Sequence, residues 1–167
     1  MNAEAEKIIA ELGLLPLPHE GGFFRQTWVS KERLADGRAA GSAILFLITT
    51  ENFSALHRLE TDEIWHHCSG DPVKHLQLDP RDGSAKIVHL GPEAPAGTLQ
   101  LVVPGGIWQG ARLAEIEGDS AASTRGWALL SCTMAPAWEE KEFTLGGRKE
   151  LARAFPSQAA IIASFTR

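Results

Sequence analysis

The stretch from Phe53 to Pro72, FSALHRLETDEIWHHCSGDP, brings His57, Glu63, Trp65, His66 and His67 together between two turns. An imidazole and a carboxylate in contact form an acid–base pair suited to isomerisation, epimerisation or proton abstraction beside a carbonyl, and that chemistry needs no metal. His57 and Glu63 are therefore the candidate catalytic residues. Inside a closed fold Glu63 would lose hydration and its ionised form would be disfavoured unless a cation or His57 compensates, which makes a useful proton-transfer group. The bland alternatives are a core histidine satisfied by one hydrogen bond and a solvated acid at a strand end. Trp65 and Trp108 could stack on a ring or sugar face or simply fill the core. Arg25 and Arg112 stand in strand patterns beside aromatic residues, where they could clamp a carboxylate or phosphate, or form surface ion pairs. His67 and Gln109 complete the candidate ligand-binding set. His66 and Trp28 are expected to point outward or lie at an interface, and His19, His75 and His89 have no convergent partner in the sequence.

The elements that position these side chains read as short strands. Ser54 to Leu59 alternates in polarity, Glu60-Thr61-Asp62 is turn-like, and Glu63 to Cys68 resumes an extended pattern that Ser69-Gly70-Asp71-Pro72 breaks. Side chains alternate faces along a strand, so His57 and Leu59 share one face while Glu63, Trp65 and His67 share the corresponding face of the next strand, taken to be its partner. Upstream, residues 2 to 12 carry apolar positions at three-and-four spacing between a capping Asn2 and Gly13, which predicts a helix. Pro16 and Pro18 stop it, and His19 to Gly22 reads as a flexible turn into a strand over Phe23 to Val29. Ser42 to Thr49 is apolar on both faces, as a central strand should be. Val73 to Leu78 and Ala85 to Leu90 flank DPRDG and read as a hairpin. Further strands are expected over Leu99 to Val103, Trp108 to Leu113, Gly126 to Met134 and, briefly, Glu142 to Leu145, with loops over 91–97 and 115–125. A second helix follows at about 147 to 155, and the tail from Ser157 is ambiguous. Neither Gly21-Gly22 nor Gly105-Gly106 has the context of a phosphate loop.

The 167 residues suffice for one well-filled core, so residues 1–167 are expected to form a single domain. Many short strands with helices only near the ends predict an all-β sandwich or barrel. A net charge of −5 offers no footprint for nucleic acid or anionic lipid. The start lacks the pattern of a signal peptide, and the longest apolar run, Ala43 to Ile48, is too short to span a bilayer, so a cytoplasmic protein is expected. Cys68 and Cys132 both read as buried free thiols.

His57-Arg58-Leu59 followed by Glu63 and Gly70 resembles the first motif of the cupin superfamily, and Pro104-Gly105-Gly106-Ile107-Trp108-Gln109 resembles the second. The longer runs LGLLPLPHEGGFFRQTW, VVPGGIWQGARL and EFTLGGRKELARAFP are similar to one poorly characterised branch of that superfamily, from about Ile8 to Pro156. The resemblance implies a double-stranded β-helix, or jelly roll, with a pocket in the barrel, and a homodimer. Cupin sites hold a cation with imidazoles and a carboxylate, but Leu59 stands where the second histidine belongs and Gln109 where the third belongs. His57, Glu63 and Gln109 would make a weak metal site, with His67 as a replacement ligand if it points inward. The first functional reading is a small polar metabolite, possibly a sugar derivative, bound in the barrel, with metal-independent acid–base chemistry and no cofactor. The alternatives are a metal-dependent dioxygenase or isomerase using a divalent cation, and a non-catalytic binding or dimerisation module.

Overall fold

The computed structural model describes residues 2–92, 98–115 and 124–167. Helix α1 (Ala3–Leu12) starts where the Asn2 side chain accepts from the Ala5 N–H at 2.8 Å, and stops where Gly13 takes a left-handed φ of 60°. The strands follow in chain order as β1 (Leu15–Pro16), β2 (Phe23–Val29), β3 (Ser42–Thr49), β4 (Ser54–Arg58), β5 (Glu63–Gly70), β6 (Val73–Leu78), β7 (Ala85–Leu90), β8 (Gln100–Val103), β9 (Trp108–Leu113), β10 (Trp127–Met134) and β11 (Thr144–Leu145). Helices α2 (Arg148–Ala154) and α3 (Ala159–Ser164) complete the described elements. The loops expected over 91–97 and 115–125 fall largely outside the described residues.

These strands form two antiparallel sheets, one of six in the order β1-β2-β3-β10-β5-β8 and one of five in the order β11-β4-β9-β6-β7. The result is a jelly roll with short terminal helices. Strands β4 and β5 belong to opposite sheets, so they are not partners, as the sequence had suggested, and their inward side chains meet across the barrel. Strand β5 also runs on through Ser69 and Gly70, which were expected to break it.

The two-faced apolarity of β3 has a plain cause. Phe46 and Ile48 enter the interior with Trp65, Val73, Leu90, Val103 and Leu130, while Leu45 and Leu47 lie on the other face beneath α1, against Ala5, Leu14 and Trp127. Burying one such aliphatic or aromatic side chain contributes roughly 1.5–3 kcal/mol. The outer face of the five-stranded sheet is covered by α2 and α3, whose Leu151, Phe155, Ile162 and Phe165 pack on Leu56, Leu76 and Leu78. The ambiguous tail is thus ordered because it supplies the second layer that this sheet face needs.

Register irregularities set which side chains face inward. In β4, Ser54 pairs with Ala111 and His57 with Gln109, so one extra residue lies between them and both can face the interior. In β5 the register against β10 shifts between Ser69 and His67, leaving Cys68 exposed rather than buried; Cys132 is buried as expected. Among the described residues no helix is long and apolar enough to cross a membrane.

Candidate functional site

Between the sheets lies a cavity of about 570 Å³. Its deep wall carries His57 from β4 and Leu59 just beyond that strand, Glu63 and Trp65 from β5, and Cys132 and Met134 from β10. Phe24, Ile44 and Phe46 form the apolar side, and Phe143 closes over His57 with ring centroids 5.4 Å apart and planes 22° from parallel. Exposed His19, Trp138 and Glu140 stand at the mouth.

Glu63 is only 7 % exposed, and its Oε2 accepts hydrogen bonds from Trp65 Nε1 at 3.0 Å and Gln109 Nε2 at 2.8 Å. Burial outweighs every other influence and raises its pKa from 4.5 to about 7; His57 and the two hydrogen bonds favour the ionised form, while Glu20 opposes it. Gln109 Oε1 in turn accepts from Trp65 Nε1 at 2.9 Å, closing a triangle that locks the carboxyl, the amide and the indole together. Burial also pushes up the Cys132 thiol beside Glu63, keeping it protonated.

His57 makes no direct hydrogen bond to Glu63, whereas the shared-face reading allowed either a direct bond or one water between them. Its Nδ1 is 2.9 Å from the Ala55 carbonyl oxygen, which fixes that nitrogen as the donor in the neutral ring and leaves Nε2 as the acceptor. The carboxylate nearest to Nδ1 is Glu20, at 3.8 Å, which also accepts from Ser54 Oγ at 2.7 Å. Glu20 is a site residue that sequence reasoning missed. It sits in a turn read as flexible, yet His19, Gly21 and Gly22 all hold positive φ, and Arg167 clamps that turn by donating to the main-chain oxygens of His19, Glu20 and Phe53. A side chain at Gly21 would collide with that guanidinium.

His75, to which the sequence assigned no chemistry, lies fully buried behind this wall with its ring edge-on to Trp65 at 5.0 Å. Neither ring nitrogen has a hydrogen-bond partner, although Gln109 lies alongside. Burial and the nearby His57 lower its pKa to about 3, so it stays neutral. Strand parity could have found it, because Val73 and His75 alternate inward while Leu76 and Leu78 serve the outer layer.

The remaining expected ligand contacts lie elsewhere, for the same reason of alternation. Along β9, Gln109 faces inward, whereas Trp108 and Arg112 face outward. Trp108 packs under Arg58, at 5.1 Å from its guanidinium carbon, and Arg112 lies over Phe53 and Phe165 and donates to the Ser164 carbonyl. Arg25 is exposed on the outer face of β2. His67 lies beyond Trp65 at the far end of the barrel, where its Nε2 is 2.9 Å from the Asp71 carbonyl oxygen, so it does not replace Leu59.

The mouth is held by a second device absent from the sequence reading. Arg38 and Glu142, with side chains 9 % and 10 % exposed, form a two-pronged pair; Arg38 Nε also donates to the Ala137 carbonyl at 2.6 Å, and Thr61 Oγ1 to Glu142 at 2.9 Å. Their union ties the loop before β3 to the turn that delivers Glu140 and Phe143 to the cavity.

The donor set suits a divalent metal poorly. Leu59 offers no donor, the Gln109 oxygen is committed to Trp65, and Glu63 Oε2 already accepts two hydrogen bonds. Among the described residues no three His, Cys, Asp or Glu side chains gather closely enough to hold a metal ion.

Comparison with known proteins places this geometry. No curated protein matches the chain. A protein from Shewanella oneidensis solved by X-ray crystallography is 27 % identical, with a TM-score of 0.86 over 100 % of this chain and 98 % of that one. A hypothetical protein from Leishmania major is 31 % identical, with a TM-score of 0.85 over 97 % and 98 %. Oxalate decarboxylase from Bacillus subtilis shares the fold alone: at 12 % identity and a TM-score of 0.55, the match takes in 91 % of this chain but 37 % of that enzyme. Residues 6–146 match the family described as cupin superfamily (DUF985), and with both sheets, the barrel cavity and the two altered motifs accounted for, this chain belongs to that family.

Proposed function

We propose that this single cupin-like domain binds a small metabolite in the barrel and moves a proton on it, with Glu63 as the acid–base group and His57 as its partner. The observation that carries this reading is a nearly inaccessible carboxyl on a cavity wall whose pKa, about 7, leaves it able to give or take a proton at neutral pH. Free of the Ala55 carbonyl, His57 Nε2 is the nitrogen available to accept. Two proton-handling groups on one apolar cavity suit isomerisation or epimerisation of a molecule with an acidic C–H. The cavity volume is in the range of small-molecule sites.

Mass spectrometry of whatever co-purifies with the untagged protein would identify the ligand, and incubation of that ligand in deuterated water would report proton abstraction by NMR. Exchange that depends on both Glu63 and His57 supports the reading. Tight binding with no exchange in any variant would reduce the protein to a binding module. We further propose a homodimer. Leu15 and Trp28, 66 % and 53 % exposed at the β1–β2 edge, present apolar surface that a second copy could cover. A monomer mass by light scattering at micromolar concentration would contradict this.

A further inference from the structure

The cavity lining has a one-sided charge. Glu20, Glu63 and Glu140 contribute to it, and no Lys or Arg lines it among the described residues. Glu20 and Glu63 have surrendered nearly all their hydration, being 9 % and 7 % exposed, and neither forms an ion pair with a lysine or arginine among the described residues. Such burial is costly unless something supplies donors or positive charge. The protein supplies Ser54 to one carboxyl and Trp65 and Gln109 to the other, while His57 Nδ1, 3.8 Å from Glu20, is directed at the Ala55 carbonyl. Arg167, the cation next to this turn, spends its donors on main-chain and Asn52 oxygens rather than on the Glu20 carboxylate.

The rest of the cavity is aromatic. Phe24, Phe46 and Phe143 line it, Phe143 stacked on His57. The buried pair Glu20 and Glu63, with aromatic rings in the same lining, suits a cation with an apolar body, through charge-assisted hydrogen bonds and attraction to the rings. An anion would meet two carboxylates with no compensating charge. We infer that the cavity takes a small organic amine, its ammonium head between Glu20, Glu63 and His57 and its apolar body along Phe24, Phe46 and Phe143. This rests on the reading of the cavity as a ligand site and adds the sign and shape of the ligand.

Phenethylamine, 2-phenylethanol and phenylacetate differ little in size and span the three head-group charges. Titration calorimetry at pH 8 and low salt should give the amine an affinity about tenfold above the alcohol, with phenylacetate weakest; tenfold corresponds to 1.4 kcal/mol. The near-isosteric Glu63→Gln should bring amine and alcohol within about threefold of each other, as loss of one charge-assisted contact requires. Ile44→Trp, which fills the cavity, should abolish binding of both. Phenylacetate binding as tightly as the amine would overturn the inference while leaving the cavity a ligand site. Binding of none of the three, or amine binding untouched by Ile44→Trp and by Glu63→Gln, would overturn the inference, and in the first case would count against the ligand-site reading as well.

Discussion

Replacing Glu63 by Gln tests the central group without disturbing its neighbours, because an amide oxygen can still accept from Trp65 Nε1 and Gln109 Nε2. The wild-type carboxyl ionises near pH 4.5 when hydrated and near 7 in the folded chain. Below pH 4.5 it is protonated in both states and contributes no pH dependence. As pH rises from 4.5 to 7 the unfolded chain releases this proton first, so stability falls, and above 7 the full penalty of about 3 kcal/mol is present. The variant has no such penalty. Any fixed cost of the amide is independent of pH and cancels when only the slope of the difference is read. Urea unfolding followed by tryptophan fluorescence at intervals from pH 4 to 8.5 should therefore show the variant gaining about 3 kcal/mol on the wild type across the range. A difference that stays flat across the range would mean that the carboxyl ionises as it does in water. The proposed acid–base role would then lose its tuned group.

Other predictions follow from the same geometry. Glu142→Ala removes the two-pronged partner of Arg38, leaving Glu139 at 3.9 Å and the Ala137 carbonyl, and should cost about 3 kcal/mol in urea unfolding, the low end for breaking a buried pair; a loss comparable to that of a surface ion pair would show that the latch is unimportant. Trp108→Ala and Arg112→Ala should leave phenethylamine affinity unchanged, since both side chains lie on the outer face under α2 and α3, and a large loss in either would disprove that separation. Protein purified without an affinity tag should carry well below one equivalent of transition metal by elemental analysis, because the Gln109 oxygen and Leu59 provide no competent ligands. A stoichiometric metal would require the Trp65–Gln109–Glu63 triangle to open.

Most of the fold was legible because its signals are local. The Asn2 cap, the Gly13 stop, the DPRDG hairpin and the alternating strands each involve residues close in sequence. The site was legible in part for the same reason: motif spacing and parity placed His57, Glu63 and Trp65 on inward faces, and Gln109 by resemblance. What escaped was long-range. Glu20 reaches His57 from a turn with three positive-φ residues that Arg167, Asn52 and Ala55, all distant in sequence, help to hold, and nothing in HEGG discloses those partners. The pairing of β4 with β9 rather than β5 is likewise set by how the sheets close. Arg112 and Trp108 were misplaced for a different reason, since their outward orientation follows from the alternation that puts Gln109 inside.

The two departures from the cupin motifs act together rather than as separate losses. In a cupin site the second and third histidines would face the carboxylate across a cation. Here Leu59 removes one donor and makes that part of the wall apolar, while Gln109 replaces a lone-pair donor with an N–H that bonds Glu63 directly. The carboxyl stays deeply buried beside a neutral amide where the motif places an imidazole, and burial, outweighing the hydrogen bonds, raises its pKa. On the proposed reading, the substitutions that weaken the metal site are also those that leave its glutamate free to transfer a proton. Restoring an imidazole by Gln109→His should reverse this in part: in its protonated form the ring would favour the ionised carboxylate, flattening the fall in stability between pH 4.5 and 7 relative to the wild type. An unchanged profile in that variant, measured by the same urea titrations, would break the link between the altered motif and the tuned carboxyl.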